Sequence, residues 1–431
     1  SADNVAIGNL ALTALTSGAY NVAVGSLALD AAQGGGWNTA VGYAALSAVS
    51  SGIQNTAVGQ AALVASTASY CTAVGAEVLD AANTGDYNTA FGFIALGANT
   101  SGAQNNAFGA GSMDANTTGN YNTAMGHDSL GANTDGDYNV AVGKNTLLSN
   151  TTGHYNTAVG YQALQVNIDG DMSVAVGYQA LYNQESDAAG QDVLNTAVGS
   201  NAGQELTSGI RNTFIGGQAA SGAAVTGDEN TGVGFQALYS LTSGAGNVAV
   251  GQVGGSISTG SNNTCLNGGG SVSTGSNNTF VGKDAGNSGS PGGAITTGSN
   301  EIVLGDENVT EAHIQVDWTV ASDERDKTDI EDLDVGLEFR WDQRSLYGDE
   351  QDVSPDGTYK KDQLDVGFLA QDVGALEEQL GFGKADKKNL ISSLSEDGQM
   401  YGLRYNKFVP MLVNAVQELS AEIEKLKKEQ N

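Results

Sequence analysis

The sequence predicts a mostly β protein, in which a trimeric parallel β-solenoid or β-roll shaft precedes a small α/β domain that ends in a coiled-coil helix. Three observations lead to this prediction. A phrase of about 17 residues returns along most of the chain, small residues and glycines occupy fixed places within it, and the composition changes near residue 305. A fixed period of this kind indicates stacked repeats, each of which buries its core only against its neighbours.

The repeat begins with Asn-Thr-Ala-Val-Gly, continues with an Ala-Leu step and a Gly turn, and ends with an aromatic residue. Successive copies start 17 residues apart with one step of 16, and the later copies start 15 to 22 residues apart. Residues 1–305 are therefore expected to form one shaft domain. The first residues of the copies are Asn4, Asn21, Asn38, Asn55, Cys71, Asn88, Asn105, Asn122, Asn139, Asn156, Ser173, Asn195, Asn212, Asn230, Asn247, Asn263 and Asn278.

Each position of the repeat has its own physical task, which one copy illustrates. Ala158 at the third position is small enough for two backbones to approach closely, and Val159 at the fourth points to the opposite side of the strand. Gly160 at the fifth position ends or bends the strand, and Leu164 at the ninth supplies the largest core side chain. Gly170 at the fifteenth position follows a polar residue and predicts a turn with positive φ.

The first and last positions predict ladders that join the coils. Each leading Asn is expected to stack on the Asn of the next coil, with their amides paired. The aromatic residues before it are expected to stack likewise; they include Tyr20, Trp37, Tyr87, Tyr121, Tyr138 and Tyr155. Because one coil buries little, we expect three chains to associate through the Ala positions, which would hide the apolar seam and the strand edges. A monomeric solenoid is the alternative.

The charge distribution restricts the partners. The net charge is −31, and residues 1–321 hold Lys144, Arg211 and Lys283 as their cations against 23 carboxylates. Without a basic face, binding to nucleic acid or to an anionic membrane surface is disfavoured. The acidity is expected to keep a long β structure soluble, and a cation-rich or Ca²⁺-dependent partner is the alternative.

The cysteines and histidines of the chain are isolated from one another in the sequence. Cys71 and Cys265 replace repeat residues many coils apart and are expected to be small buried side chains. His127, His154 and His313 have no spacing suited to one metal site. No apolar run approaches the ~18 residues of a membrane span, and no signal peptide is visible. We therefore expect no metal, no cofactor and no membrane insertion.

Two copies of the repeat are stretched, one across residues 183–192 and one across residues 287–294. Insertions in solenoids form loops on one face, which is often the binding face. Ordinary surface loops are the alternative interpretation.

From residue 306 onwards the composition is that of a mixed α/β segment. Residues 306–321 alternate between apolar and polar side chains, which predicts connecting strands, and residues 322–431 form the expected second domain. A helix is expected over residues 405–429, where apolar residues recur at intervals of three and four. They predict a trimeric coiled-coil seam of Val409, Leu412, Val416, Leu419, Ile423 and Leu426.

Both parts of the chain resemble known families. The repeats resemble the head repeats of trimeric autotransporter adhesins, which build a trimeric β-roll, and the shaft repeats of phage tail fibres. Three phrases of the second domain, Ser-Asp-Glu-Arg-Asp-Lys from Ser322, Gly-Phe-Leu-Ala-Gln from Gly367 and Ala-Val-Gln-Glu-Leu from Ala415, resemble the C-terminal intramolecular chaperone of endosialidase-type phage tail spikes and fibres. The resemblance implies a domain that trimerises, guides folding of the shaft and then cuts itself off.

The same resemblance makes Ser322 the nucleophile and Lys327 its general base, with the scissile bond between Ser322 and Asp323. Elementary chemistry permits this, since a Ser hydroxyl needs an adjacent base and a Lys serves when its pKa is lowered. Arg325 would support that lowering, whereas Asp323 and Asp326 would oppose it. The alternative is a chaperone-like cap that stays attached.

Together these features predict a structural and adhesive phage tail fibre subunit, made in the host cytoplasm and assembled into the virion as a homotrimer. Its partners would be other virion tail proteins and a host surface glycan or protein receptor, and its activity would be autoproteolytic at most. A bacterial trimeric surface adhesin is the first alternative. A glycan depolymerase tail spike is the second, disfavoured because the shaft has evenly scattered acids rather than paired carboxylates in a cleft.

Overall fold

The computed structural model describes residues 3–186, 190–252, 257–267, 273–290, 294–309, 320–321, 375, 392–394, 401–403 and 408–429. The chain divides into two compact units, Ser1–Thr310 and Glu311–Asn431. The first unit contains the repeats, and the second contains the C-terminal helix.

The first unit is a parallel β-solenoid, which confirms the predicted mostly β solenoid of ~17-residue repeats. It has an 18-stranded parallel sheet, with one three-residue strand in each coil. Equivalent residues of successive coils face one another, as Ala158 faces Ala141 and Ala175. The strands are β1 Val5–Ile7, β2 Val22–Val24, β3 Thr39–Val41, β4 Thr56–Val58, β5 Thr72–Val74, β6 Thr89–Phe91, β7 Asn106–Phe108, β8 Thr123–Met125, β9 Val140–Val142, β10 Thr157–Val159, β11 Val174–Val176, β12 Thr196–Val198, β13 Thr213–Ile215, β14 Thr231–Val233, β15 Val248–Val250, β16 Thr264–Leu266, β17 Thr279–Val281 and β18 Ile302–Leu304.

The register survives the two longest copies of the repeat. Val174 of β11 faces Thr196 of β12, 22 residues later, and Thr279 of β17 faces Ile302 of β18, 23 residues later. The extra residues of these copies therefore leave the strand ladder unchanged.

The middle residue of each strand points into its own coil. Ala141, Ala158 and Ala175 are fully buried within the single chain, whereas their strand neighbours at the second and fourth positions are half-buried or exposed. Side chains alternate between the two faces of a strand, so the Ala positions build the core. The expectation that three chains associate through the Ala positions is therefore wrong.

Backbone strain is concentrated at the fifth position of the repeat. Gly160 has a φ of 131°, and a Cβ there would lie 2.3 Å from the carbonyl oxygen of Gly177. Only glycine adopts this conformation readily. The fifteenth-position glycines were expected to have positive φ, but Gly153 and Gly170 do not lie in that region. Glycine is required at position 153 for lack of room instead, because a Cβ there would lie 2.4 Å from the Asn150 side chain.

The ninth-position leucines adopt a conformation that leucine rarely takes. Leu147 and Leu164 each have a φ of 50°, and both are fully buried. A left-handed residue costs about 1–2 kcal/mol, whereas burial of a leucine side chain contributes about 1.5–3 kcal/mol. The coil turns sharply at this position because the turn brings the leucine into the core.

The leading Asn residues form a buried hydrogen-bond ladder. The Oδ1 of Asn38 accepts the backbone N–H of Asn55 at 2.9 Å, and its Nδ2 donates to the carbonyl of Gly52 at 2.9 Å. The ladder was predicted, but its main partners are backbone groups rather than stacked amides. Amide-to-amide bonds do occur in the later coils, as between Asn247 and Asn230 at 3.0 Å.

A second buried ladder was missed by sequence reasoning. The Nδ2 of Asn116 donates to the Oδ1 of Asn99 at 2.8 Å, and the Nδ2 of Asn133 donates in turn to Asn116 at 2.8 Å. Each of these side chains also donates to the glycine carbonyl three residues later. The ladder consists of Asn83, Asn99, Asn116, Asn133, Asn150, Asn167 and Gln184.

The core adapts locally where a large side chain replaces the third-position alanine. Phe214 is fully buried and faces Gly232 in the next coil. A Cβ on Gly203 would lie 3.0 Å from the Phe214 ring. Glycines beside Phe214 therefore provide the space that its ring fills.

The second unit is described in part. Strands β19 Val320–Ala321, β20 Ser392–Leu394 and β21 Tyr401–Leu403 form an antiparallel sheet in the order β19-β21-β20. Helix α1 spans Phe408–Glu429, against the predicted range of residues 405–429. Its last turn carries Lys427 and Lys428, whose positive charges interact favourably with the negative end of the helix dipole.

A first prediction concerns the strained fifth position. Gly160→Ala should lower the free energy of unfolding by about 3 kcal/mol or more, since the new Cβ meets the next coil's backbone at a disfavoured φ. Gly217→Ala is the matched control, because its Cβ would approach only the Phe235 ring, at 3.5 Å. Urea unfolding followed by circular dichroism measures both variants, and equal losses would contradict the strain argument.

A second prediction compares two residues of the Asn ladder. Asn38→Ala leaves both the Asn55 N–H and the Gly52 carbonyl without their side-chain partner, at a cost of about 3 kcal/mol. Asn156→Ala should cost less, because the Gly170 carbonyl also accepts from Asn167 of the second ladder at 3.0 Å. Thermal unfolding of the two variants checks the order, and a larger loss for Asn156→Ala would count against it.

Candidate functional site

The residues predicted for self-cleavage lie outside the described part of the chain. They are Ser322, Asp323, Arg325 and Lys327. Their roles stay predictions, and so does the scissile bond between Ser322 and Asp323. The described surfaces that bear on function are on the solenoid and on helix α1.

Helix α1 carries the predicted apolar seam on its surface. Leu412, Val416, Leu419, Ile423 and Leu426 are 51–63 % exposed in the single chain. Val409 also belongs to the helix. Apolar residues at alternating intervals of three and four lie along one stripe of a helix, which is typical of a coiled-coil contact.

The outer face of the solenoid strands carries an apolar ribbon, defined here as the second- and fourth-position residues of β1–β18. Every fourth-position residue is apolar, and every second-position residue is Val, Thr, Asn or Ile. None of these side chains is charged, in a chain with a net charge of −31. Fourth-position side chains such as Val198, Ile215 and Leu266 are 38–40 % exposed.

The ribbon is continuous along the solenoid. Stacked strands advance ~4.8 Å, so that 18 strands extend about 80 Å. Contiguous exposed apolar surface of this extent marks an interaction site in soluble proteins. Its fourth-position row includes the stacked pair Phe91 and Phe108, whose ring centroids are 5.2 Å apart.

An aromatic column, defined here as the last residue of each repeat copy, runs beside the ribbon. Its rings are stacked and nearly parallel, with centroids 4.8 Å apart for Tyr121 and Tyr138 and 5.1 Å apart for Tyr138 and Tyr155. Desolvation, with smaller contributions from the neighbouring tyrosines, raises the pKa of Tyr138. The aromatic members are Tyr20, Trp37, Tyr70, Tyr87, Tyr121, Tyr138 and Tyr155, all 40–59 % exposed.

Backbone geometry at this column is left-handed whatever the residue. Tyr121 and Tyr155 each have a φ of 58°, and Gln54, between two aromatic members, also has a φ of 58°. Left-handed positions favour Gly and Asn, and the later coils do use Gly246 and Asn262 here. The aromatic residues of the earlier coils therefore adopt a backbone conformation that disfavours them relative to Gly or Asn.

In several coils, the residue before the member of the aromatic column provides a side-chain hydrogen-bond acceptor for a backbone N–H of the preceding coil. Asp137 accepts the Asn120 N–H at 2.6 Å, and the Nδ1 of His154 accepts the Asp137 N–H at 2.9 Å. Asp171 accepts the His154 N–H at 2.6 Å, and burial raises the pKa of its carboxyl although His154 opposes the shift. His154 is thus a half-buried structural group, while His127 is exposed and pairs with Asp128 at 2.7 Å.

Both cysteines are free and buried, as predicted. Burial raises the pKa of the Cys71 thiol from its ordinary 9.0 to about 11 and that of Cys265 to about 12. Thiols with such values are almost fully protonated at neutral pH and react poorly as nucleophiles. The two side chains are structural substitutions in the repeat.

One concave feature of the solenoid is a shallow, open notch. It has a volume of about 460 Å³ and is lined by Asp114, Asp128, Gly131 and Leu148, with Ala132, Ser149, Thr151 and Ile168. Burial, with a smaller effect of Asp128, raises the pKa of Asp114. Within the described ranges, no group of three or more His, Cys, Asp or Glu residues could hold a metal ion.

The described residues include no helix with both the length and the apolarity needed to cross a membrane. Comparisons with protein-family models, with curated proteins and with solved structures found no match to this chain.

Proposed function

We propose that the chain is the subunit of an elongated homotrimeric fibre with a structural and adhesive function, a phage tail fibre that attaches to a host surface. The observation that carries the proposal is the uncharged apolar ribbon. Its exposure in the single chain means that a large free energy is gained when a partner covers it.

The most suitable partner for the ribbon is another copy of the same chain. The ribbon repeats every ~4.8 Å, and a surface with the same period can interdigitate with it over its whole length. Charge supports the same choice, because two chains of net charge −31 repel each other except where their surfaces carry no charge. Association through the ribbon would replace the Ala-mediated contact expected from the sequence.

The number of three chains comes from the resemblances and from helix α1. Both resembled families are trimeric, and the exposed α1 seam offers a second contact between copies. Attachment to a host surface and assembly with other virion tail proteins rest on the resemblance alone. A bacterial surface adhesin with the same architecture is the second candidate, since the ribbon and the seam suit it equally.

The C-terminal domain is proposed to assist folding. Parallel coils form slowly because their contacts join residues far apart in the chain, and exposed strand edges aggregate during that time. A domain that trimerises first would hold three shafts in register. Its release by self-cleavage, with Ser322 and Lys327 as the dyad, is part of this proposal.

The third prediction tests the ribbon. The parent chain should sediment as a trimer, and Val198→Asp with Ile215→Asp should weaken or abolish association, because six carboxylates would be buried per trimer. Thr118→Asp is the control, since it is exposed and Asp135 occupies the equivalent place in the next coil. Sedimentation velocity and circular dichroism would be measured together, and a folded monomeric parent would refute the trimer.

The fourth prediction tests self-cleavage. The parent should yield a small C-terminal fragment beginning at Asp323 on a denaturing gel, and Ser322→Ala should yield only the full-length chain. Lys327→Met should have the same effect, since the base would be lost without a large change in volume. Absence of the fragment from the parent would show that the domain remains attached as a cap.

A further inference from the structure

We propose that the aromatic column contains two binding slots for the pyranose rings of a neutral glycan. The first slot lies between Trp37 and Tyr70, and the second lies between Tyr87 and Tyr121. The proposal rests on the adhesive function given above and deepens it, because it names a receptor class and the residues that would contact it.

The slots are breaks in the stacked column. Tyr20 stacks on Trp37 with centroids 5.5 Å apart, and Tyr70 stacks on Tyr87 with centroids 4.7 Å apart. One coil between these two stacks carries Gln54 instead of an aromatic ring.

The second break repeats the first. Tyr121 begins the next stack, and Gln104 is the column residue between Tyr87 and Tyr121. In both places, the same residue type separates two ring faces that would otherwise be covered by a neighbour.

The spacing suits one sugar ring in each slot. The aromatic residues on either side are two coils apart, or roughly 9.6 Å at ~4.8 Å for each coil. Carbon atoms in contact lie ~3.5–4.0 Å apart, so a puckered six-membered ring between two ring faces would occupy most of this distance once the exposed Gln side chain turns to the edge of the sugar. The two slots are three coils apart, roughly 14 Å, which lets one oligosaccharide reach both.

The chemistry of each slot matches a carbohydrate. The faces of aromatic rings are electron-rich and attract the C–H groups that cover the faces of a pyranose ring. The Gln amide provides two donors and one acceptor for hydroxyl groups. Gln54 and Gln104 are exposed, and within the described residues neither side-chain amide has a hydrogen-bond partner.

Charge selects a neutral glycan. Lys144 is the first cation of the sequence, so no Lys or Arg is present in the coils that carry the slots. Asp86 lies next to Tyr87, and a carboxylate here would repel sialic acid or other acidic sugars. Recognition therefore depends on stacking and on hydroxyl hydrogen bonds.

The ring faces beside each Gln have room for a further stacking contact. A stacked aromatic pair contributes about 0.5–1.5 kcal/mol. Trp37, Tyr70, Tyr87 and Tyr121 each stack on one aromatic neighbour and present the other face to a Gln. A ligand ring on that face would supply the contact that the missing aromatic neighbour does not.

The experiment fills the slots in the full-length trimeric chain. The parent is screened against arrayed neutral oligosaccharides of hexoses and N-acetylhexosamines and against their sialylated forms, and the strongest binder is measured by calorimetry. Gln54→Tyr with Gln104→Tyr completes the ring stack and should weaken binding at least about tenfold, because both ring faces of each slot become covered. The melting temperature should stay the same or rise.

The matched control is Leu194→Tyr, which adds a tyrosine at the same coil position away from both slots. It should leave glycan affinity within about twofold of the parent. Trp37→Ala with Tyr121→Ala removes one wall from each slot and should weaken binding as strongly as slot filling. Sedimentation of every variant should still report the parent's oligomeric state.

Several results would overturn the slots. They include a parent that binds no neutral glycan, a preference for sialylated forms, and a slot-filled chain that binds as the parent does. A change in oligomeric state on filling would assign the column to the contact between chains instead. Attachment of the parent and the slot-filled chain to bacterial cells separates this inference from the proposed function, since equal attachment would refute the slots and leave adhesion intact.

Discussion

The hydrogen bonds of the leading asparagines hold the solenoid together. The Asn side chain accepts the backbone N–H of the next coil and donates to a carbonyl near the end of its own coil, which is that of Gly52 for Asn38 and that of Ala68 for Asn55. This pair of bonds closes the coil and sets its register against the next coil, whatever the number of residues in the coil. Three-residue strands would otherwise be too short to specify pairing, and the alanine, leucine and glycine positions depend on the register that the ladder provides.

Much of the fold could be predicted because the period of the repeat is directly visible in the sequence. The inward direction of the alanine side chains and the repeat positions with positive φ could not be predicted, because both depend on how the coil closes. Leu164 in a left-handed conformation contradicts its intrinsic preference and is imposed by burial. The second ladder was visible as Asn99, Asn116 and Asn133 at a spacing of 17, but its burial was not.

The candidate surfaces were less predictable than the fold. The aromatic column was recognised from its repeat, whereas the meaning of Gln54 depended on knowing that the neighbouring rings stack. The ribbon was not predicted as a surface, because the outward fourth-position residues are as apolar as the third-position residues that build the core. The buried Asn ladders, the ribbon and the aromatic column occupy different positions of the repeat, so that each can vary along the chain with little effect on the others.

The ladder also determines how the shaft would respond to tension. A pull along the solenoid axis loads the bonds between successive coils in series, so the weakest junction sets the breaking force. Two junctions lack the leading Asn: at Cys71 the thiol donates to the Gly85 carbonyl at 3.5 Å, and at Ser173 the hydroxyl accepts from Gln184 at 2.9 Å. We expect the solenoid to separate first at these two positions under such a load, because a leading Asn side chain is missing from the bonds between the coils there.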